Sequence, residues 1–278
     1  MKFKIVADSA SDMLVLDEIP FSSVPLKITT DEKEYVDTAA MSVDGMVADL
    51  LKYKGKSTTA CPGPGEWLES FEDAENVFCV TITSNLSGSY NAACVAKDEY
   101  EKTHPGRKVC VVDSLSAGSE MWLLVEKLRE LIQSGFNYDE ISQKIMAYKE
   151  HTHMVFSLES LKNLANNGRV NPAVAKIAGI LGIRMVGYAE DGRLAPQDKS
   201  RGEKKAIADV LKHMKAMGYN GGKVLIHHCQ NEPAAQALKE QLQKLYDGAQ
   251  VRIGKTRGLC SFYAEKGGLM VGFEDGLA

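Results

Sequence analysis

"VTITSNLSGSYNAA", residues 80–93, passes from apolar residues through a small, hydroxyl-bearing run into helix-forming composition. Its first residues complete "VFCVTI", which reads as a buried strand, and Tyr90, Ala92, Ala93, Val95 and Ala96 open a helix. Between the two lie Ser84, Ser87, Gly88 and Ser89. A strand handing over to a helix in this way is the unit of a parallel α/β sheet. Beyond the carboxyl ends of such strands, helix N-termini present unpaired N–H groups and partial positive charge. Leu86-Ser87-Gly88-Ser89 sets two hydroxyls and a residue without a side chain at that place, where a carboxylate or a phosphate fits.

Working outward, "KFKIVAD" (2–8) and "KVCVV" (108–112) read as further buried strands. Helical spacing of apolar residues marks "VDGMVADLLKYK", "NAACVAKDEYEK" and "EMWLLVEKLRELIQSG", the last closed by Gly135. Three more hydroxyl-rich stretches look like strand ends: Asp8, Ser9, Ser11 and Asp12; Ser57, Thr58 and Thr59; Asp113, Ser114 and Ser116. Each alone is explained by helix capping. Four in one domain point instead to a lined edge of the sheet.

After residue 150 the pattern changes. Residues 151–194 predict a strand, a helix, a turn at Asn167 and Gly168, a helix opened by Asn171-Pro172, a strand and a tight Asp191-Gly192 turn. Helix and strand then alternate through "RGEKKAIADVLKHMKAMG", "KVLIHH", "EPAAQALKEQLQKLY", "AQVRIG" and "GGLMVGF". The expected fold class is α/β in two domains, 1–154 and 155–278, the first built on a parallel sheet. No Pro/Gly/Ser-rich linker marks the boundary, so the two parts are expected to pack closely.

Composition narrows the function classes. With 278 residues, 44% hydrophobic and 25% charged, the chain reads as a globular protein. A net charge of −4 and the lack of a long basic run argue against a nucleic-acid binder. No stretch approaches 18 apolar residues, and the start lacks a signal-peptide core, so no membrane insertion and a cytoplasmic location are expected. Six cysteines without a C-x-x-C pair read as reduced, structural thiols, with Cys79 and Cys110 in core strands. "IHHC" could set His227 and Cys229 on one strand face, but two ligands do not make a metal site. No cofactor is implied.

Other chemistries remain open at this point. Ser87 could be imagined as a hydrolase nucleophile, yet G-x-S-x-G is absent and no spacing pairs His104 with it. A phosphate or nucleotide binder is the nearer rival, although neither G-x-x-x-x-G-K-[ST] nor G-x-G-x-x-G occurs.

"ADSASD", "TTACPGPGEW", "ITSNLSGSY", "VVDSLSAG", "SLESLKNLANNGRV" and the arginine of "KSRGEKKA" follow one another in the order and approximate spacing of the DegV family, which the chain resembles over nearly its whole length. The resemblance implies a two-domain α/β protein holding one long-chain fatty acid in an apolar tunnel between the domains. It further implies a non-catalytic, lipid-presenting subunit of bacterial fatty acid kinase, whose separate ATP-binding partner supplies the phosphoryl group. By that match Thr59, Ser87 and the amide of Gly88 would hold the carboxylate. Arg169 and Arg201 would serve the phosphoryl group or the kinase.

The chain also departs from the family pattern. Ala60 and Cys61 follow the binding threonine where many relatives have Ser and Gln, and "GIRM" (182–185) replaces a common Ile-Lys-Pro. The family's carboxy-terminal histidine is missing, with Cys260 near its position and Arg257, Ser261, Tyr263 and Lys266 as candidate substitutes. Candidates for an apolar lining are Ile177, Ile180, Leu181, Met185, Met121, Trp122 and Phe262, each of which also fits an ordinary core position.

Overall fold

The structure, a computed structural model, describes residues 2–178 and 182–278. In the first half the chain lays down β1 (Phe3–Asp8), β2 (Phe21–Val24), β3 (Lys27–Thr29), β4 (Glu34–Val36), β5 (Thr58–Ala60), β6 (Asn76–Thr81) and β7 (Lys108–Asp113). β1, β2, β6 and β7 form a parallel sheet in the order β2-β1-β6-β7, as the apolar runs predict. β3, β4 and β5 form a small antiparallel sheet that the sequence reading missed. Thr58 and Thr59 therefore lie within a strand and not at an exit of the parallel sheet, which leaves three lined strand ends where four were expected. Three-residue strands carry too little alternation to be seen, although two adjacent β-branched threonines suit a pleated backbone.

Alternation along the parallel strands sends each face to its own helices. Ile5, Ala7, Phe78 and Val80 pack against Leu124 and Leu128 of the helix Ser119–Gln133 and Ile141 and Ile145 of the helix Tyr138–Lys149. Val6, Val77 and Cys79 pack on the other face against Trp67, Phe71, Ala93 and Tyr100 from the helices Pro64–Phe71 and Ser89–Thr103. Cys79 is fully buried as expected, whereas Cys110 is half-buried at the edge of the first of these clusters.

Between Lys149 and Thr152 the chain leaves the first sheet for a second. Its strands are β8 (Thr152–Leu158), β9 (Ile183–Glu190), β10 (Arg193–Arg201), β11 (Lys223–His228), β12 (Gln250–Lys255) and β13 (Leu269–Glu274), in the order β10-β9-β8-β13-β11-β12. Only β11 and β12 are parallel neighbours. The others run antiparallel. Val155, Val186, Ile226 and Val271 turn toward the helices Glu203–Ala216 and Glu232–Leu245. Met154, Phe156, Leu158 and Met270 turn the other way and share a cluster with Ile28, Tyr35, Met46 and Val47 from the first half.

The two halves thus bury apolar surface in common. Gly272 marks a close backbone approach between them: a Cβ there would lie 2.6 Å from the carbonyl carbon of Ser119 and the amide nitrogen of Glu120. The helix Gly258–Ala264 is a second tie, with Leu259 in the first-half core and Phe262 in the shared cluster. Among the described residues no helix is long and apolar enough to cross a membrane.

Candidate functional site

The run that opens the sequence analysis resolves into residues with separate tasks. β6 ends at Thr81, and the helix Ser89–Thr103 begins with Gly88 as an N-cap that offers no side-chain bond. Ser89 is buried and donates its hydroxyl to Asp8 Oδ2 at 2.6 Å. Asp8 also accepts from the amides of Ile82 and Ala10, at 2.9 and 3.2 Å. Those donors favour the carboxylate, but burial outweighs them and raises the Asp8 pKa to about 7. Ser84 is exposed, its amide bound to Asp113 Oδ1 at 3.1 Å. Ser87 and Gly88 are the two that face a cavity.

That cavity, about 320 Å³, lies between the end of the parallel sheet and the inner face of the second sheet. Leu26, Ile82 and Leu86 from the first half and Met154, Phe156 and Leu158 from β8 make it mostly apolar. Thr59, Ser87, Gly88 and Arg169 all lie on its wall, so three stretches far apart in sequence reach one place. The two hydroxyl-bearing strips come close: a Cβ on Gly88 would sit 3.2 Å from Cys61 Sγ, and Cys61 follows directly after β5.

Of the four candidates for the missing histidine, Tyr263 joins this wall. Its hydroxyl is 2.7 Å from Thr59 Oγ1. Burial raises the Tyr263 pKa above its ordinary value, while Thr59 and the charge of Arg169 oppose the shift. The phenol stays protonated, and when it donates to Thr59 Oγ1 the threonine hydrogen is released toward the cavity. Arg257 and Ser261 line a different cavity, and Lys266 is exposed.

Arg169 is held by backbone carbonyls and not by a carboxylate. Its Nε and Nη2 donate to Leu86 O at 3.3 and 3.2 Å, and its Nη1 donates to Asn167 O at 2.5 Å. The guanidinium is therefore locked beside Ser87 with its charge uncompensated by any ion pair among the described residues. Arg201 is not brought to the cavity. It is exposed at the end of β10, opposite Ile183, eight residues from Arg193 on the cavity wall, a span of roughly 26 Å along a strand.

The predicted Asp191-Gly192 turn closes the cavity from the second half. Both residues have positive φ, 48° and 73°, which joins β9 to β10 in a two-residue hairpin. Thr83 Oγ1 donates to Gly192 O at 2.9 Å, and Asn85 Nδ2 donates to Asp191 O at 2.8 Å. The sequence reading named neither Thr83 nor Asn85 as a functional residue. Their only signal was membership in the polar run after β6.

The expected lining residues fall elsewhere. Met121, Met185 and Phe262 are buried in the helix and sheet clusters, and Trp122 faces the second cavity. Ile180, Leu181 and the side chain of Ile177 lie outside what is described. His227 is fully buried with Nδ1 2.8 Å from Asp12 Oδ2, and Cys229 Sγ points at Ser261 O at 3.9 Å, so the "IHHC" side chains are tied into structure. Among the described residues no group of three metal-ligating side chains gathers anywhere. No histidine lines the Ser87 cavity. His104 sits at the far end of the helix Ser89–Thr103, bonded to Thr103 and Tyr100, so it is not paired with Ser87.

Comparison with known proteins places this arrangement. The chain is 42% identical over 279 residues to a DegV domain-containing protein of Streptococcus pneumoniae, covering 99% of each. The crystal structure of a DegV family protein from Eubacterium eligens loaded with heptadecanoic acid matches with a TM-score of 0.96 and 41% identity, over 98% of this chain and 99% of that one. The Streptococcus pneumoniae Fatty Acid Kinase (Fak) B3 protein, solved loaded with linoleic acid, matches with a TM-score of 0.96 and 42% identity over 99% of both chains. A family described as uncharacterised proteins of the DegV type matches residues 2–275, and with that span and those identities the chain belongs to the DegV family.

Proposed function

We propose that this protein binds a long-chain fatty acid in the 320 Å³ cavity and presents its carboxylate at the Thr59–Ser87–Gly88 wall to a separate, ATP-using kinase subunit. The observation that carries the proposal is the convergence of Thr59, Ser87, Gly88 and Arg169 on one otherwise apolar cavity. Support comes from the two matching structures, one holding heptadecanoic acid and the other linoleic acid.

The chemistry divides between tail and head. Burial of the acyl chain contributes about 0.8 kcal/mol per methylene and dominates affinity. At the head, Ser87 Oγ–H, the hydrogen of Thr59 released by Tyr263, and the Gly88 amide each donate to a carboxylate oxygen, at about 1.5–3 kcal/mol per charge-assisted bond. Arg169 lends positive charge and, with its fork fixed by Leu86 O and Asn167 O, suits the phosphoryl group that a kinase would add. Arg201, exposed and off the cavity, is assigned to contact with the kinase. No catalytic group for phosphoryl transfer is required of this chain, and the partner supplies ATP.

Mass spectrometry of solvent extracts from the purified protein tests the ligand, and a co-purifying fatty acid is expected. Ser87→Ala should weaken fatty-acid binding by about tenfold, the loss of one charge-assisted bond. Arg169→Ala should leave binding within about twofold of the native protein while removing most acyl phosphate formation with the kinase. Equal fatty-acid affinity of the native protein and Ser87→Ala would overturn the head-group assignment. Loss of binding in Arg169→Ala would overturn the division of labour.

A further inference from the structure

A second cavity of about 540 Å³ opens at the carboxyl ends of β11 and β12, away from the acyl cavity. Its wall includes His228, Lys255, Gln230, Trp122, and Glu232 and Pro233 at the start of the helix Glu232–Leu245. Parallel neighbours followed by a helix N-terminus are where α/β sheets place anions. That placement alone would be ordinary capping, but the local bonding departs from it.

Asn231 is the N-cap of this 14-residue helix, and asparagine is among the strongest cappers, yet it makes no side-chain cap bond. Its Nδ2 turns away to Gly267 O and Glu203 Oε2, at 3.0 and 3.3 Å. Pro233 has no N–H, so the Glu232 amide is the first-turn donor left without a side-chain acceptor at the cavity. His228 supplies the second observation. It is 3% exposed, and its Nδ1 accepts the Asn231 amide at 3.1 Å, which fixes the proton on Nε2. That Nε2–H, on a side chain that borders the cavity, meets no acceptor among the described residues, and burial, opposed by the charge of Glu232 and aided by Lys255, holds the imidazole below its ordinary pKa and so neutral. Trp122 Nε1, on the same wall, is buried without a partner. Lys255 is exposed and forms no ion pair among the described residues.

We propose that this second cavity is a binding site for a small phosphomonoester, its phosphate held by the His228 Nε2–H, the Lys255 ammonium and the Glu232 amide at the start of the helix Glu232–Leu245. The body of the ligand lies against Trp122, Val43 and Val47. Three carboxylates also border the cavity and set its limits. Asp12 is already engaged by His227 at 2.8 Å and the Arg257 amide at 2.6 Å, and Asp44 accepts from Gln230 at 2.9 Å. Glu232 is exposed at the first helical position.

The site is independent of the acyl cavity, so it is tested with inorganic phosphate on the whole protein, with and without fatty acid, by following histidine ring resonances. The His228 signals should shift saturably, while the exposed His104 moves little, and Lys255→Gln should weaken phosphate binding by about tenfold with the melting temperature unchanged. A His228 shift no larger than that of His104 would overturn the proposal. An equal response to acetate would overturn the assignment to phosphate, and unaltered affinity in Lys255→Gln would remove Lys255 from the site.

Discussion

Tyr263 shows how much of the proposed head-group site depends on single side chains. Its hydroxyl is 2.7 Å from Thr59 Oγ1, and when the tyrosine is the donor the threonine proton is free to point into the cavity. Replacing it with phenylalanine keeps the ring packed on Phe262, 4.8 Å away between centroids, and removes only the donor. Tyr263→Phe should therefore weaken fatty-acid affinity by about fivefold, on the order of 1 kcal/mol, with little change in melting temperature. Displacement of a fluorescent fatty acid reads the first quantity and calorimetry the second. Unchanged affinity would mean that Thr59 reaches the carboxylate unaided. Ser87 was legible as a candidate because the hydroxyl–glycine run at a strand exit suits an anion, and its assignment to a carboxylate came from the resemblance to the DegV family. Tyr263 was legible only as one of four substitutes, since no local pattern tells an inward-facing tyrosine from the rest.

Among the elements, the β9–β10 hairpin bears most directly on access to the proposed acyl cavity. Asp-Gly between two strand-like runs announced the turn, because both positions need positive φ and glycine accepts it without cost. Its docking on Thr83 and Asn85 could not be anticipated, as those bonds join residues 109 and 106 positions apart. A Cβ on Gly192 would fall 2.3 Å from Thr83 Oγ1 and 2.9 Å from Asn85 Nδ2, and φ would remain at +73°. Gly192→Ala should cost about 1–3 kcal/mol of stability and push the hairpin tip off the cavity. Faster fatty-acid dissociation in stopped-flow exchange is the expected outcome, and an unaltered rate would show that the tip does not restrain the ligand. The β5 strand makes the opposite case: Thr59 was read as a strand-exit residue, and its true place, in the middle of a three-residue edge strand, is visible only through its pairing with Ile28.

For the whole molecule, the joint between the two sheets carries a pH dependence. Glu120 begins the helix Ser119–Gln133, where Gly272 of β13 lets the helix start touch the second sheet, and it accepts from Thr152 at 2.9 Å. Burial raises its pKa from 4.5 to about 7, and Asp8 is raised from 3.8 to about 7 by the same cause. Between the two values the folded chain keeps a proton that the unfolded chain has released. Their stabilising contribution is therefore complete at the acid end and lost as pH rises through about 7, at up to about 1.4 kcal/mol per pH unit for each group. Glu120→Gln keeps an acceptor for Thr152 and removes the titration, so denaturant unfolding from pH 4.5 to about 7, the window between the two pKa values, should give a shallower fall in stability than in the native protein. Parallel slopes would show that Glu120 is ionised throughout.

What the sequence by itself determined is local. Strand alternation separates Ile5 and Ala7 from Val6, helical spacing marks the covering helices, and the glycine–serine run after β6 identifies a place for an anion. Each depends on neighbours within a few positions, where backbone geometry imposes periods of about 2 and 3.6 residues. Tertiary structure alone decided which of these places meet. Thr59 finds Tyr263 across 204 residues and Arg169 finds Leu86 across 83, because buried faces of separate sheets must pack together and no sequence period records that choice.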